Sequence, residues 1–436
     1  MIFDIIKNLV NYKIFANLLM IGVVLISCTK EVPEKTPQKA VELKTARSFD
    51  YKLEIAKKMI RLKNFLTENK LDGILITQVR NVYWATAGLA NNQIVLNKDV
   101  GTASLLFLKN GKKFLICNGA EASRMMDESL KELGYELIEY PWYESNSTKD
   151  VRGEIIKQFG RIGSDINYPN TINVSVKFKT LRYSLNEYEV LRYKYVAEQS
   201  TEAVAEVCMN IKPGMSEFEI ETMTANALRN RQILPTVLLT AVDERIYKYR
   251  HALPGGAKLK KYVMINICAE KWGMPIAVTR FVHFGQLPEI LKARLEKTAI
   301  VNAHYQEFTR PGVSAFEIFE KMKNWYKSVS FVNEWMLHHQ GGAIGYDDRE
   351  WIIYPGNKEV VQNNQAFAWN PTITGAKVEE TMIVNENGFE VITKSPNWPM
   401  IIVNLNGKKY PQPNILIRDE NTLQIKQQSN YEIIGE

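Results

Sequence analysis

A nine-residue segment occurs twice in this chain, and that repetition restricts its possible folds more than any other feature. Pro213-Gly214-Met215-Ser216-Glu217-Phe218-Glu219-Ile220-Glu221 returns 98 residues later as Pro311-Gly312-Val313-Ser314-Ala315-Phe316-Glu317-Ile318-Phe319. Each copy has a Pro-Gly break, then Ser with Glu three residues on. This is the capping box, in which the two side chains bond free backbone N–H groups at a helix start. A long amphipathic helical pattern precedes each copy, at about 185–211 and about 291–309. Strand-like apolar runs follow, at 235–241 and 263–284 in the first copy and at 366–371 and 378–384 in the second. The shared context predicts a duplicated α/β half, and so a pseudo-twofold domain with a cleft between its sheets.

Upstream, the pattern changes. Leu53, Ala56, Met59, Ile60, Leu62 and Leu66 fall on helical spacing over 52–66. Runs of strand length follow at 74–77, 103–108 and 114–117, the last two joined by the turn residues Lys109-Asn110-Gly111. A helix over 121–133 and a strand over 135–140 complete a smaller α/β domain. The predicted order is therefore an N-terminal α/β domain at 50–180, the duplicated domain at 185–395 and a C-terminal extension at 396–436, in a mixed α/β (α+β) class.

Lys7 and Lys13 precede an apolar stretch from 14 to 27. It is short of the roughly twenty residues a membrane-crossing helix needs and has the proportions of a signal-peptide core. Leu25-Ile26-Ser27-Cys28 resembles a bacterial lipobox. This predicts a lipoprotein signal peptide at 1–27, lipidation of Cys28, a polar tether at 28–49 and anchoring in the bacterial cell envelope, on the periplasmic side or the outer membrane. An uncleaved anchor and an ordinary signal peptide are the alternatives. The formal charge is +7, but the basic residues are mixed with acidic ones and form no run, which argues against a nucleic-acid partner. Cys117, Cys208 and Cys268 are an odd set without metal-ligand spacing and read as buried free thiols.

Leu71-Asp72-Gly73-Ile74-Leu75-Ile76 and Asn81-Val82-Tyr83-Trp84-Ala85-Thr86-Ala87-Gly88, with Asn370-Pro371 and Val378-Glu379-Glu380-Thr381, resemble the creatinase/aminopeptidase P/prolidase family over about 50–395. The resemblance implies the "pita-bread" fold, with hydrolase or aminopeptidase activity on peptide or amide substrates. It also implies a homodimer in which the segment from Tyr83-Trp84 to Asn91-Asn92 approaches the neighbour's cleft. The family's peptidases hold two divalent metals with two Asp, a His and two Glu, since paired hard dications need anionic oxygens. Those places match Asn266, Ala277, Gly342, Asn370 and Glu379 here. Only Glu379 is a ligand, so the dinuclear site is expected to be lost and no metal or other cofactor is expected.

The metal-free creatinase branch implies His251 as acid/base, on the loop before the first metal strand. Its two assisting glutamates match Thr279 and Asn370, so creatine itself is doubtful. His251 and Glu379 are thus the catalytic candidates, and Asn266, Asn370, His339, Arg280 and Gly342 the substrate-binding ones. His338 ranks below His339, because adjacent residues of a strand face opposite ways. Glu379 and Glu380 lie on an apolar strand and need partners, with Arg280, Lys377 and a cationic substrate available. Arg349-Glu350 reads as a surface or interface pair, Glu121 and Arg124 as a pair one helical turn apart, and His283 and His304 as structural. The expected function is metal-independent hydrolysis of a C–N bond in a small amide, peptide or amidine-like substrate. A non-catalytic binding lipoprotein and a true metallo-aminopeptidase are the alternatives.

Overall fold

The computed structural model describes residues 42–435. The signal peptide, Cys28 and the tether up to residue 41 lie outside the described residues. Among the described residues no helix is long and apolar enough to cross a membrane.

The N-terminal part begins with helix α1 (Tyr51–Glu68), whose first turn is capped by Asp50 accepting from Leu53 N at 3.2 Å. Strand β1 (Gly73–Gln78) leads into α2 (Val79–Ala85), followed by β2 (Val100–Leu108), β3 (Lys113–Asn118), α3 (Gly119–Met125), β4 (Glu136–Tyr140), α4 (Val151–Ile156), β5 (Ile162–Ser164), β6 (Ile172–Asn173) and α5 (Ser175–Phe178). The strands form one sheet in the order β4-β3-β2-β1-β5-β6. The helix expected over 121–133 continues α3 as a π-helical turn at Met126–Leu130, and Glu121 pairs with Arg124 at 2.7 Å.

The expected apolar stripe of α1 is only half right. Leu62, Phe65 and Leu66 are buried, but Leu53 and Ile60 are exposed, and Glu54 and Lys58 are fully buried in their stead. Lys58 Nζ lies 2.8 Å from Glu189, 2.8 Å from the Trp84 carbonyl and 2.9 Å from the Tyr346 hydroxyl, and also pairs with Glu54. Arg192 binds Glu54 through two nitrogens at 2.9 and 2.6 Å. Two buried acids and two buried bases thus neutralise one another and tie α1 to the second domain.

That domain runs α6 (Glu187–Asn210), α7 (Glu217–Arg229), β7 (Leu234–Val242), α8 (Glu244–Lys248), β8 (Tyr262–Lys271) and β9 (Met274–Phe284), then α9 (Glu289–Phe308), α10 (Ala315–Ser328), β10 (Gly341–Ile344), β11 (Trp351–Ile352), β12 (Gln365–Trp369), β13 (Thr372–Ile373), β14 (Ala376–Lys377), β15 (Glu380–Asn385) and β16 (Gly388–Val391). The repeat builds the same junction twice. Gly214 and Gly312 both sit at φ +91°, a left-handed conformation suited to glycine. Their N–H groups donate to Leu259 O at 2.8 Å and Val361 O at 2.9 Å. Both capping boxes close, Ser216 with Glu219 and Ser314 with Glu317. One sheet has the order β11-β10-β12-β15-β16. The other is β19-β9-β8-β7, where β19 (Leu416–Arg418) comes from the C-terminal segment and pairs parallel with β9. The rest of that segment forms a separate sheet from β17 (Met400–Leu405), β18 (Lys408–Pro413) and β20 (Tyr431–Ile434).

The two main sheets meet where β9 lies against the start of β15, with Thr279 N donating to Glu379 O at 3.2 Å and Ala277 N to Thr381 Oγ1 at 2.9 Å. Cys117, Cys208 and Cys268 are free, and burial pushes each thiol up to about 12. His283 is buried on β9 with Nδ1 3.4 Å from Gly285 O, and His304 stacks on Trp325, both in structural settings.

Candidate active site

Asn266 and Thr279 face each other across β8 and β9, and both point at Glu379, which immediately precedes β15. Asn266 Nδ2 donates to Glu379 Oε2 at 2.5 Å and Thr279 Oγ1 at 2.8 Å, while Asn370 Nδ2 reaches Oε1 at 3.4 Å. Lys377 Nζ, at the end of β14, is 3.0 Å from Oε2 and 3.3 Å from Asn266 Oδ1. Arg349 Nη2 lies 3.7 Å from Oε1. Burial raises the pKa of this carboxyl, but Lys377 and Arg349 outweigh it and hold the group below its ordinary range.

This pocket does not fit a pair of dications. Of the five implied ligand positions it offers one carboxylate, whose oxygens already accept from two side-chain amides, a hydroxyl and an ammonium. Two cations flank it, so the local charge is positive, and Ala277 contributes only a methyl. Asn266 and Asn370, expected to orient a substrate, hold Glu379 instead. Asn370 keeps a buried Oδ1 without a partner.

Two expected binding residues are moved off the site. Arg280, one position past Thr279 on β9, projects to the other face. There it pairs with Glu380 at 2.7 Å and packs over Trp398, because successive strand residues alternate. Gly342 lies in mid-sheet between β11 and β12, where an added Cβ would meet Trp351 O at 2.1 Å. The close approach it allows is to a neighbouring strand rather than to a ligand. Arg349-Glu350 is not a surface pair either. Glu350 is buried and paired with Arg182, with Nε to Oε1 at 3.0 Å, which leaves Arg349 free to lean toward Glu379.

The histidines converge more than expected. His251 Nε2 and His338 Nε2 are 2.8 Å apart, and the His338 and His339 rings stack with centroids 4.4 Å apart. The strand argument against His338 fails because both residues precede β10, on the irregular segment after a 3₁₀ turn at Glu334–Leu337. Arg250 pairs with Glu334 and reaches Thr374 Oγ1 at 2.9 Å, pinning the His251 loop to the start of that turn. Gln340 Nε2 donates to His338 O at 2.7 Å, and Tyr326 OH to Gln340 Oε1 at 2.7 Å. Burial, then the nearby Lys377, lowers His251 and pushes His338 down to about 2. Burial, then Arg349, lowers His339 to about 4. All three are neutral imidazoles at neutral pH. A cavity of about 450 Å³ opens alongside, with His339 and Arg349 in its wall.

Sequence reasoning placed Arg349 in a surface or interface pair and His338 below His339, whereas the structure sets Arg349 beside Glu379 and His338 against His251. It offered Lys377 as one of three partners that the buried Glu379 and Glu380 require, and the structure places Lys377 on Glu379.

The sequence model of metallopeptidase family M24 matches residues 192–386. An uncharacterized peptidase of Staphylococcus epidermidis is 22% identical over 373 residues, 77% of this chain and 99% of its own length. A Xaa-Pro dipeptidase of Pyrococcus horikoshii is 22% identical over 360 residues, 78% of this chain and 97% of its own. Among solved structures, the Xaa-Pro dipeptidase from Bacillus anthracis aligns with a TM-score of 0.62 at 19% identity, covering 78% of this chain and 98% of that one. The prolidase from Pyrococcus horikoshii OT3 aligns with a TM-score of 0.64 at 17% identity, also covering 78% of this chain and 98% of that one. These solved structures share the pita-bread fold described above.

Proposed function

Because the chain belongs to metallopeptidase family M24, on the creatinase/aminopeptidase P plan, yet has cations where that plan has metals, we propose that it is a hydrolase working without the dinuclear centre. Its substrate is a small amide, short peptide or amidine-like molecule whose C–N bond is cleaved. The observation that carries this reading is the placement of Lys377 and Arg349 on Glu379, beside three neutral histidines and a cavity. His251, neutral and on an exposed loop, takes the proton of a water that attacks the carbonyl or amidine carbon. The imidazolium then returns that proton to the departing nitrogen. Arg349, at the cavity wall, attracts the oxygen or carboxylate on which negative charge resides, and Lys377 adds to the same field. Glu379 holds both cations in place. General-base catalysis of this kind contributes about 10²–10⁴-fold beyond positioning.

Anchoring through a lipid on Cys28 would hold the enzyme in the bacterial cell envelope. A homodimer is part of the same proposal. It is supported by exposed Ile94, Val95, Leu96 and Val100 on the N-terminal domain, just beyond the segment expected to meet a neighbour. Within the chain that segment also packs in cis, with Tyr83 and Gly88 against the Trp272-Gly273 turn.

The test is a screen of small amides and Xaa-Pro peptides by thermal shift and turnover, with and without chelator. Turnover that survives chelation and is lost in His251→Gln, with ligand-induced stabilisation intact, supports the proposal. Turnover abolished by chelator and restored by two metal equivalents overturns it. Ligand binding without turnover leaves a binding protein.

A further inference from the structure

Three ring nitrogens, one each from His251, His338 and His339, lie within 4.8 Å of one another. We infer that these histidines form a binding site for a single divalent transition-metal ion, in a place separate from the family's carboxylate-based dinuclear position. Two imidazole nitrogens bound tetrahedrally at about 2.0–2.1 Å are about 3.3 Å apart. The His251–His338 pair at 2.8 Å is already inside that spacing, and the wider pair needs a closure of under about 2 Å. The exposed His251 loop can supply it by side-chain rotation. His338 is buried at 8% exposure with Nδ1 lacking any hydrogen-bond partner. The like nitrogens of His251 and His338 face each other at 2.8 Å and share at most one proton, so at least one lone pair already points into the cluster.

The donor set selects the ion. Three imidazoles with no carboxylate or thiolate suit Zn²⁺, Cu²⁺ or Ni²⁺ and not Mg²⁺ or Ca²⁺, which need oxygen. Neutral rings are the ligating form, so no proton need be displaced at neutral pH. Lys377 and Arg349 oppose a dication here, and Glu379 offsets only one of them. The site is therefore weaker than a closed structural zinc site and takes one ion. The cavity whose wall holds His339 and Arg349 would leave such a site accessible to water. The consequence rests on the acid/base reading above: an ion that occupies the His251 lone pair removes the general base, so bound Zn²⁺ inhibits.

Calorimetric titration of the full-length protein with ZnCl₂ near neutral pH, and with MgCl₂ as control, reads the site without any substrate. One equivalent of Zn²⁺ and none of Mg²⁺ is expected. His251→Ala, at an exposed position, and His338→Ala should each weaken binding at least tenfold, while Glu379→Gln, which removes only the offset to Lys377 and Arg349, should weaken it by less than either. Failure of the wild-type protein to bind Zn²⁺, undiminished binding in both histidine variants, or binding of two equivalents overturns the proposal. A loss in Glu379→Gln as large as in the histidine variants does so too, by moving the ion to the family position. A failed titration leaves the acid/base role of His251 to be judged by turnover alone, so the two readings fail separately.

Discussion

Replacing Lys377 with Met removes a 3.0 Å ammonium from a carboxylate that is 1% exposed, while keeping the length of the apolar stem. Breaking a buried ion pair from one side costs about 3–5 kcal/mol, because the remaining charge is left uncompensated. Glu379 keeps Asn266 at 2.5 Å, Thr279 at 2.8 Å and the more distant Arg349, so the lower end, about 3 kcal/mol, is expected. With an unfolding entropy of about 2.1 cal/mol/K per residue, a chain of this size should lose roughly 3 °C in Tm. The pH dependence gives a second check. Wild-type Glu379 is held below its ordinary value, so its stabilising contribution is full above the unfolded pKa and is lost as pH falls through the folded one. Lys377→Met should therefore be most destabilised near pH 7, and its deficit should shrink as pH falls through the ordinary carboxylate range, vanishing only where the wild-type carboxyl, held below that range, is neutral as well. In Lys377→Met/Glu379→Gln both charges are gone, and most of the stability should return. Thermal melts of the four proteins across pH would measure this. A Lys377→Met melt within 1 °C of wild type at pH 7, or a double variant showing only the sum of the single effects, would refute the view that Lys377 stands in for a metal charge.

The remaining expectations follow the same logic. His251→Gln should lower kcat by at least about 10²-fold, and the wild-type rate should be flat at neutral pH, falling only as acid protonates His251 below its ordinary value. Lys58→Met should cost about 3–5 kcal/mol by strand-and-helix melting followed by circular dichroism, because it leaves Glu54 and Glu189 buried beside one base instead of two. Glu54→Gln in the same background should recover part of that loss. Cys28→Ser should leave the protein unacylated, either released from membranes or unprocessed, and recovery of the variant in the membrane fraction at wild-type mass and acylation would defeat the anchor. Sedimentation should give a dimer that Leu96→Glu shifts toward monomer, since the exposed Ile94–Leu96 segment would then carry charge.

Much of the fold could be read from the sequence because its signals are local. The two Pro-Gly-x-Ser-x-x-Glu junctions specify the turn, the cap and the helix start within nine residues, and both appear with matching hydrogen bonds. α1 was misread where locality fails. Glu54 and Lys58 look like solvent-facing charges until Arg192, Glu189 and Tyr346, over a hundred residues away, come to meet them. The errors at the site are of the same kind. Arg280 was expected to bind substrate, but a one-residue step along β9 sends it to Glu380 and leaves Thr279 to Glu379. His338 was discounted on strand alternation, which does not apply before the strand begins at Gly341.

One inference did survive the passage from pattern to geometry. A carboxylate inside an apolar strand cannot stand alone, so Glu379 required a positive neighbour. In the family plan that requirement is met by metal ions, and removing acids without replacing the cations would leave a buried anion. Here the positions that the resemblance assigns to acidic ligands hold Asn266, Ala277 and Asn370, and Lys377 and Arg349 carry the positive charge beside Glu379. On the proposed reading, charge replaces charge and the electrostatics of the cleft persist without the ions. A pocket losing its function has no reason to keep Asn266, Thr279 and Asn370 aimed at one carboxylate, nor to hold Arg349 at the cavity wall through a buried Arg182–Glu350 pair. The retained polar geometry, more than any single residue, argues that the cleft still acts on a ligand.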